Sequence, residues 1–182
     1  GTNTGRQLAQ RQFDAANDMT VCLGALTAQV QSPAPEREDS LAAFHARYAD
    51  DALVLDKWFA LQAGAWRWEA AAPPTLARVQ SLLRHPAFKA SNPNKVYALL
   101  GTFFRANPGE FHTPAGHAFW AEQIVALDAL NPQVAARMAR ALERWQGFAP
   151  AYRESMRAAL ARVAATEGLS PDVAEVVGKA LG

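Results

Sequence analysis

The chain has 182 residues, 50% of them hydrophobic and 19% charged, a composition that supports a folded domain with a substantial core and excludes intrinsic disorder. Eighteen Lys and Arg against 17 Asp and Glu leave a net charge of +1, so no global field recruits nucleic acid or an anionic membrane, and any electrostatic role is local. The single cysteine, Cys22, can form neither an internal disulfide nor a thiolate zinc site, and it reads as a small core residue of a helix in a reducing compartment.

No apolar run approaches the roughly 20 residues of a membrane span. No basic-then-apolar leader opens the chain, so a soluble protein is expected. The start Gly1 to Gly5, without Met, reads as a linker or cloning scar at the front of a piece excised from a longer polypeptide.

In chain order, the first break falls at Gln31 to Pro35, and the acids from Glu36 to Asp39 and at Asp50 and Asp51 suit solvated helix starts, where carboxylates meet the positive end of the helix dipole. Leu53, Val54, Leu55, Trp58, Phe59 and Leu61 then wrap nearly all the way round one helix. Such a helix needs neighbours on several sides, so it is expected at the centre. The break from Ala63 to Pro74 carries Trp66 and Trp68, an aromatic pair that is either an exposed interaction surface or a plug folded back on the core.

Leu76, Val79 and Leu83 mark the next helix, and a break follows from His85 to Ser91. Asn92-Pro93 is then the first of four helix starts built alike, the others being Thr113-Pro114, Asn131-Pro132 and Ser170-Pro171. The capping side chain accepts from an orphan amide, and Pro at the first helical position gives up a donor that had no partner. Behind these starts the apolar residues recur at helical spacing: Val96, Leu99, Leu100 and Phe103; Val134, Met138, Leu142 and Trp145; Val173, Val176 and Val177. Further breaks are expected at Asn107 to His112, at Gly147 to Pro150 and at Gly168, a left-handed helix C-cap. Arg137, Arg140 and Arg144 recur at intervals of three and four, a positive stripe that reads first as a solvated face.

No segment alternates with period two, so no sheet is expected. The fold class is all-α: roughly nine or ten helices joined by short connections, in an irregular superhelix of antiparallel helix pairs of armadillo or HEAT type, forming one domain over residues 1–182.

Catalytic motifs are missing. The four histidines, His45, His85, His112 and His117, include no His-Glu-x-x-His, and no Walker loop, nucleophile elbow or dinucleotide-binding glycine turn is present. His112 and His117 flank the Thr113-Pro114 start, where they either meet around a ligand or serve as loop and capping residues. No catalytic residue and no metal ligand is assigned.

The segments DALVLDKWFALQA from Asp51 and HPAFKASNPNKVYALLG from His85 nevertheless resemble the C-terminal domain of bacterial aminopeptidase N, in the gluzincin family of zinc aminopeptidases. The likeness continues through Ala16 to Thr20, Phe111-His112, Asn131 to Ala135 and Met156 to Leu160, so it runs from about Gln7 to Leu181. The resemblance implies a helical superhelix lying over a thermolysin-like domain of the same polypeptide, closing a cavity around zinc that the upstream domain holds. It implies peptide substrates, a cytoplasmic location and a non-catalytic role in peptide access, with no cofactor in this chain, no nucleic acid and no membrane partner. Arg137 matches an Arg that in relatives points toward the distal part of the peptide. Tyr97 stands where some relatives carry Arg, which removes one charge from a two-Arg clamp. A free-standing helical module that binds a peptide or protein on its concave face is the alternative expectation.

Overall fold

The computed structural model describes residues 3–67 and 73–182, and every regular element among them is helical. The helices are α1 (Asn3–Ala15), α2 (Met19–Val30), α3 (Arg37–Arg47), α4 (Ala52–Ala63), α5 (Thr75–Leu82), α6 (Pro93–Val96), α7 (Thr102–Ala106), α8 (Pro108–Phe111), α9 (Pro114–Asp128), α10 (Pro132–Ala139), α11 (Pro150–Ala164) and α12 (Pro171–Leu181). A π-helical turn, Tyr97–Gly101, joins α6 to α7, and tight 3-10 turns occupy Arg140–Leu142 and Trp145–Gly147. α1 begins at Asn3, inside the stretch assigned above to a linker.

All four Pro starts open helices in the expected way. Asn92, Thr113, Asn131 and Ser170 accept from the amides of Asn94, Gly116, Val134 and Val173. Asp51 caps α4 by accepting from Leu53 and Val54, and Gly168 has the left-handed φ of 75° that only glycine adopts without strain. Asn107-Pro108 opens the one-turn α8, where the sequence suggested only a break. Asn107 makes no cap hydrogen bond; its buried amide instead donates to the carbonyls of Ala63 (3.1 Å) and Ala65 (3.0 Å), tying α8 to the end of α4.

α4 is the hub: it packs on α2, α3, α5, α6, the π turn and α7. Its apolar surround is incomplete, since Leu53 in the first turn is 67% exposed while Val54, Leu55, Trp58 and Phe59 are buried. The helix enters the core only after its first turn. On the N-terminal side α1 and α2 pair and α3 follows on α2; on the C-terminal side α9 lies against α10 and α11, and α12 closes on both of these. Short connections between packed neighbours make them antiparallel, as in ARM-type stacks.

One continuous core runs from Phe13 to Ala180, and its largest fully buried side chains include Trp120, Phe44, Phe59, Phe103 and Phe111. Each such side chain contributes roughly 1.5–3 kcal/mol by leaving water. The layers are also stitched by polar bonds: the indoles of Trp58, Trp120 and Trp145 donate to the carbonyls of Leu41, Met138 and Ala180. Buried Lys95 of α6 donates to Asp56 (2.6 Å) and to the Ala52 carbonyl (2.7 Å), fixing the helix that carries the π turn against the hub. Asp128 at the end of α9 accepts from the amide and hydroxyl of Ser170, locking the start of α12.

Candidate functional site

The π turn widens the helix by one residue, a local distortion that recurs at functional sites. Here it presents Tyr97, with the Arg137 guanidinium of α10 lying 4.8 Å from the centre of its ring. The two residues singled out from sequence thus meet as a cation–π stack between separate elements. Each lines a surface depression. Tyr97 lines the first with Leu53, Lys57, Ala60 and Asn94. The second, of about 430 Å³, is lined by Arg137 with Arg105, Arg140, Gly101, Phe104 and Met138.

The expected stripe of Arg137, Arg140 and Arg144 does not form on one regular helix. α10 ends at Ala139, the chain tightens into a 3-10 turn from Arg140, and Arg144 lies beyond it. Arg140 leans on Glu143 at 3.6 Å and remains solvated. Arg105, which sequence reading did not single out, reaches the same depression: a Cβ built on Gly101 would lie 2.9 Å from Arg105 Nη2 and 3.5 Å from Met138 Sδ. The available signal was a glycine one helical turn before an arginine.

Trp66 is 60% exposed, so it is no plug on the core; Trp68 lies outside the described residues. The backbone leading to Trp66 is held firmly. Gln31 donates to the Gly64 carbonyl at 3.0 Å, Thr75 donates to the Ala65 carbonyl at 2.9 Å, and the neighbouring Arg67 pairs with Glu110 at 3.1 Å.

The histidines form two pairs: His112 and His117, which the sequence set on either side of one helix start, and His45 with His85, which no spacing indicated. His45 and His85 lie 5.0 Å apart by ring centres within a cluster that includes Trp58 and Phe59. His112 Nδ1 sits 3.4 Å from His117 Nε2, and His117 Nδ1 sits 2.9 Å from Ser155 Oγ. Burial, with a smaller contribution from the charge of His112, pushes His117 down to about 4, and burial also lowers His112. Both rings are therefore neutral at pH 7. Among the described residues no three His, Cys, Asp or Glu side chains converge to hold a metal, so these pairs do not fit a zinc site. Cys22 is buried in α2, where burial raises its thiol well above the range of a reactive thiolate.

The fold and this surface define a helical-repeat domain with an arginine-lined surface depression and no metal-binding cluster among the described residues. The family model described as "Domain of unknown function (DUF3458_C) ARM repeats" matches residues 1–182, and the chain belongs to that family. It is 42% identical over 172 residues to aminopeptidase N of Caulobacter vibrioides, covering 93% of this chain and 19% of the relative. It is 37% identical over 182 residues to aminopeptidase N of Escherichia coli, covering 99% and 20%. A crystal structure of Legionella pneumophila aminopeptidase A in complex with aspartic acid superposes with a TM-score of 0.88 at 31% identity, covering 97% of this chain and 20% of that one. The chain thus corresponds to the C-terminal ARM-repeat domain of bacterial aminopeptidase N, and spans about a fifth of the length of these relatives.

Proposed function

We propose that this domain serves a zinc-dependent aminopeptidase that removes N-terminal residues from peptides, and that it closes the active-site cavity and governs which substrates enter. The observation that carries this reading is the near full-length match to one fifth of aminopeptidase N, at 37–42% identity, by a chain in which no metal-binding cluster is found among the described residues. Zinc and the groups that activate water belong, in this reading, to the upstream catalytic domain of the same polypeptide.

The domain supplies shape and charge. Arg137, always protonated and held over the Tyr97 ring, is assigned to the distal part of the bound peptide, where a guanidinium grips a carboxylate through two parallel bonds. Tyr97 supports that guanidinium and adds an aromatic wall. Exposed Trp66 is assigned to an interaction surface. A cytoplasmic location belongs to the same reading and is supported by the lone, buried Cys22.

The test is to compare the full-length protein with a version lacking this domain, using a short peptide and a folded protein with an accessible N-terminal tail. Access control predicts that the intact enzyme cleaves the peptide and spares the folded protein, and that removal of the domain erodes this preference. Identical selectivity in both forms would count against it.

A further inference from the structure

Two guanidiniums in the Arg137 depression lack a counter-charge. Among the described residues neither Arg105 nor Arg137 has a carboxylate within 4.0 Å or donates a hydrogen bond, whereas Arg37, Arg67, Arg78 and Arg162 each face a glutamate. Arg137 rests over the Tyr97 ring with its Cζ 4.8 Å from the ring centre, a contact that consumes no hydrogen-bond acceptor and leaves N–H donors of the guanidinium unpaired among the described residues. Arg105 is folded back along its own helix into the space left by Gly101, where an added Cβ would lie 2.9 Å from Nη2, so a side chain at 101 would displace it. Like charges lining one depression repel, and an anion between them turns that repulsion into attraction. The volume of about 430 Å³ accommodates a carboxylate with the peptide unit that bears it.

We propose that Arg105, seated over Gly101, acts with Arg137 as a two-cation subsite for a carboxylate of the bound peptide, and so determines specificity for the substrate's distal end. This rests on the proposed aminopeptidase role. Arg140, whose charge is shared with Glu143, sets the positive rim and is not one of the gripping pair. Exposed cations of this kind attract the ligand, and each charge-assisted bond lost on truncation lowers affinity about 5- to 20-fold.

The experiment uses the full-length protein with alanine peptides of two to eight residues, each as the free acid and as the C-terminal amide. The expected result is that, at the length whose end reaches the subsite, the free acid has an at least fivefold lower KM than the amide at similar kcat. R105A should erase that preference, R105K should restore part of it, and G101L should reduce it by displacing Arg105. A free-acid to amide ratio that R105A leaves unchanged at every length overturns the proposal. So does an equal loss on both peptide forms, which would mark Arg105 as a partner of an acid on another domain. If R105A has no effect but R137A erases the preference, only the role of Arg105 fails. If neither variant changes it, the assignment of this surface to the peptide fails with it.

Discussion

The buried histidine in α9 makes the domain acid-sensitive in a calculable way. Ser155 donates its one proton to the Tyr152 carbonyl at 3.2 Å, so its oxygen accepts from His117 Nδ1–H, and His117 Nε2 is left as an acceptor facing His112 Nδ1. Burial denies solvent to a protonated His117 ring, and to a smaller extent His112 opposes the added charge, which is why the pKa falls to about 4. The unfolded chain binds that proton near the ordinary value of about 6.5, so the unfolded state is the more protonated one across this window. Stability from His117 is complete above about pH 6.5 and is lost progressively as pH falls toward 4. The full span is worth about 3 kcal/mol, of which about 2 kcal/mol is lost between pH 7 and pH 5.

His112 and His85 are shifted in the same direction, so the His117 share is isolated by comparison with a variant. Urea unfolding of the parent and of H117Q at pH 7 and pH 5 is the assay. H117Q should be less stable at pH 7, yet lose about 2 kcal/mol less than the parent on acidification. Parallel losses in the two proteins, or an NMR titration placing the His117 imidazole near 6.5, would refute the reasoning.

Three further outcomes follow from the packing. D56A leaves the buried Lys95 ammonium with the Ala52 carbonyl and the Phe59 ring but no counter-charge, and should cost about 3 kcal/mol in urea unfolding; a cost below about 1 kcal/mol would mean that water reaches Lys95. G116A places a Cβ 2.2 Å from the Phe111 carbonyl oxygen, so α8 and α9 must part, and the melting temperature should fall by an amount corresponding to about 1–3 kcal/mol. G24A, in an exposed helix position with nothing within 4 Å of the added methyl, should instead stabilise by roughly 0.5–1 kcal/mol, and the opposite sign would show a contact absent from the structure.

What could be read from sequence was local. A capping residue followed by Pro fixes one backbone conformation through near neighbours alone, so the starts at Asn92, Thr113, Asn131 and Ser170 were all legible. The hub was legible from the apolar residues around α4, but not the exposure of Leu53, because periodicity does not say where a helix enters the core. The π turn went unseen, since a widened turn keeps helical spacing on both sides. The arginine stripe was misread for the converse reason: the helix tightens at Arg140, and Arg137 finds its partner on another element. The meeting of His112 with His117 was open from their place around one helix start, whereas the pairing of His45 with His85 and the seat of Arg105 are tertiary facts, and only the resemblance to aminopeptidase N drew Arg137 and Tyr97 together in advance.

The central claim is that this domain hydrolyses nothing by itself and acts through an upstream zinc domain. Its most direct measurement is hydrolysis of alanyl and arginyl substrates by the chain with added zinc, alone and mixed with the separately expressed upstream portion. The account predicts no turnover by the chain alone and restored or enhanced turnover on mixing; chelator-sensitive activity that tracks with the purified chain alone would contradict it.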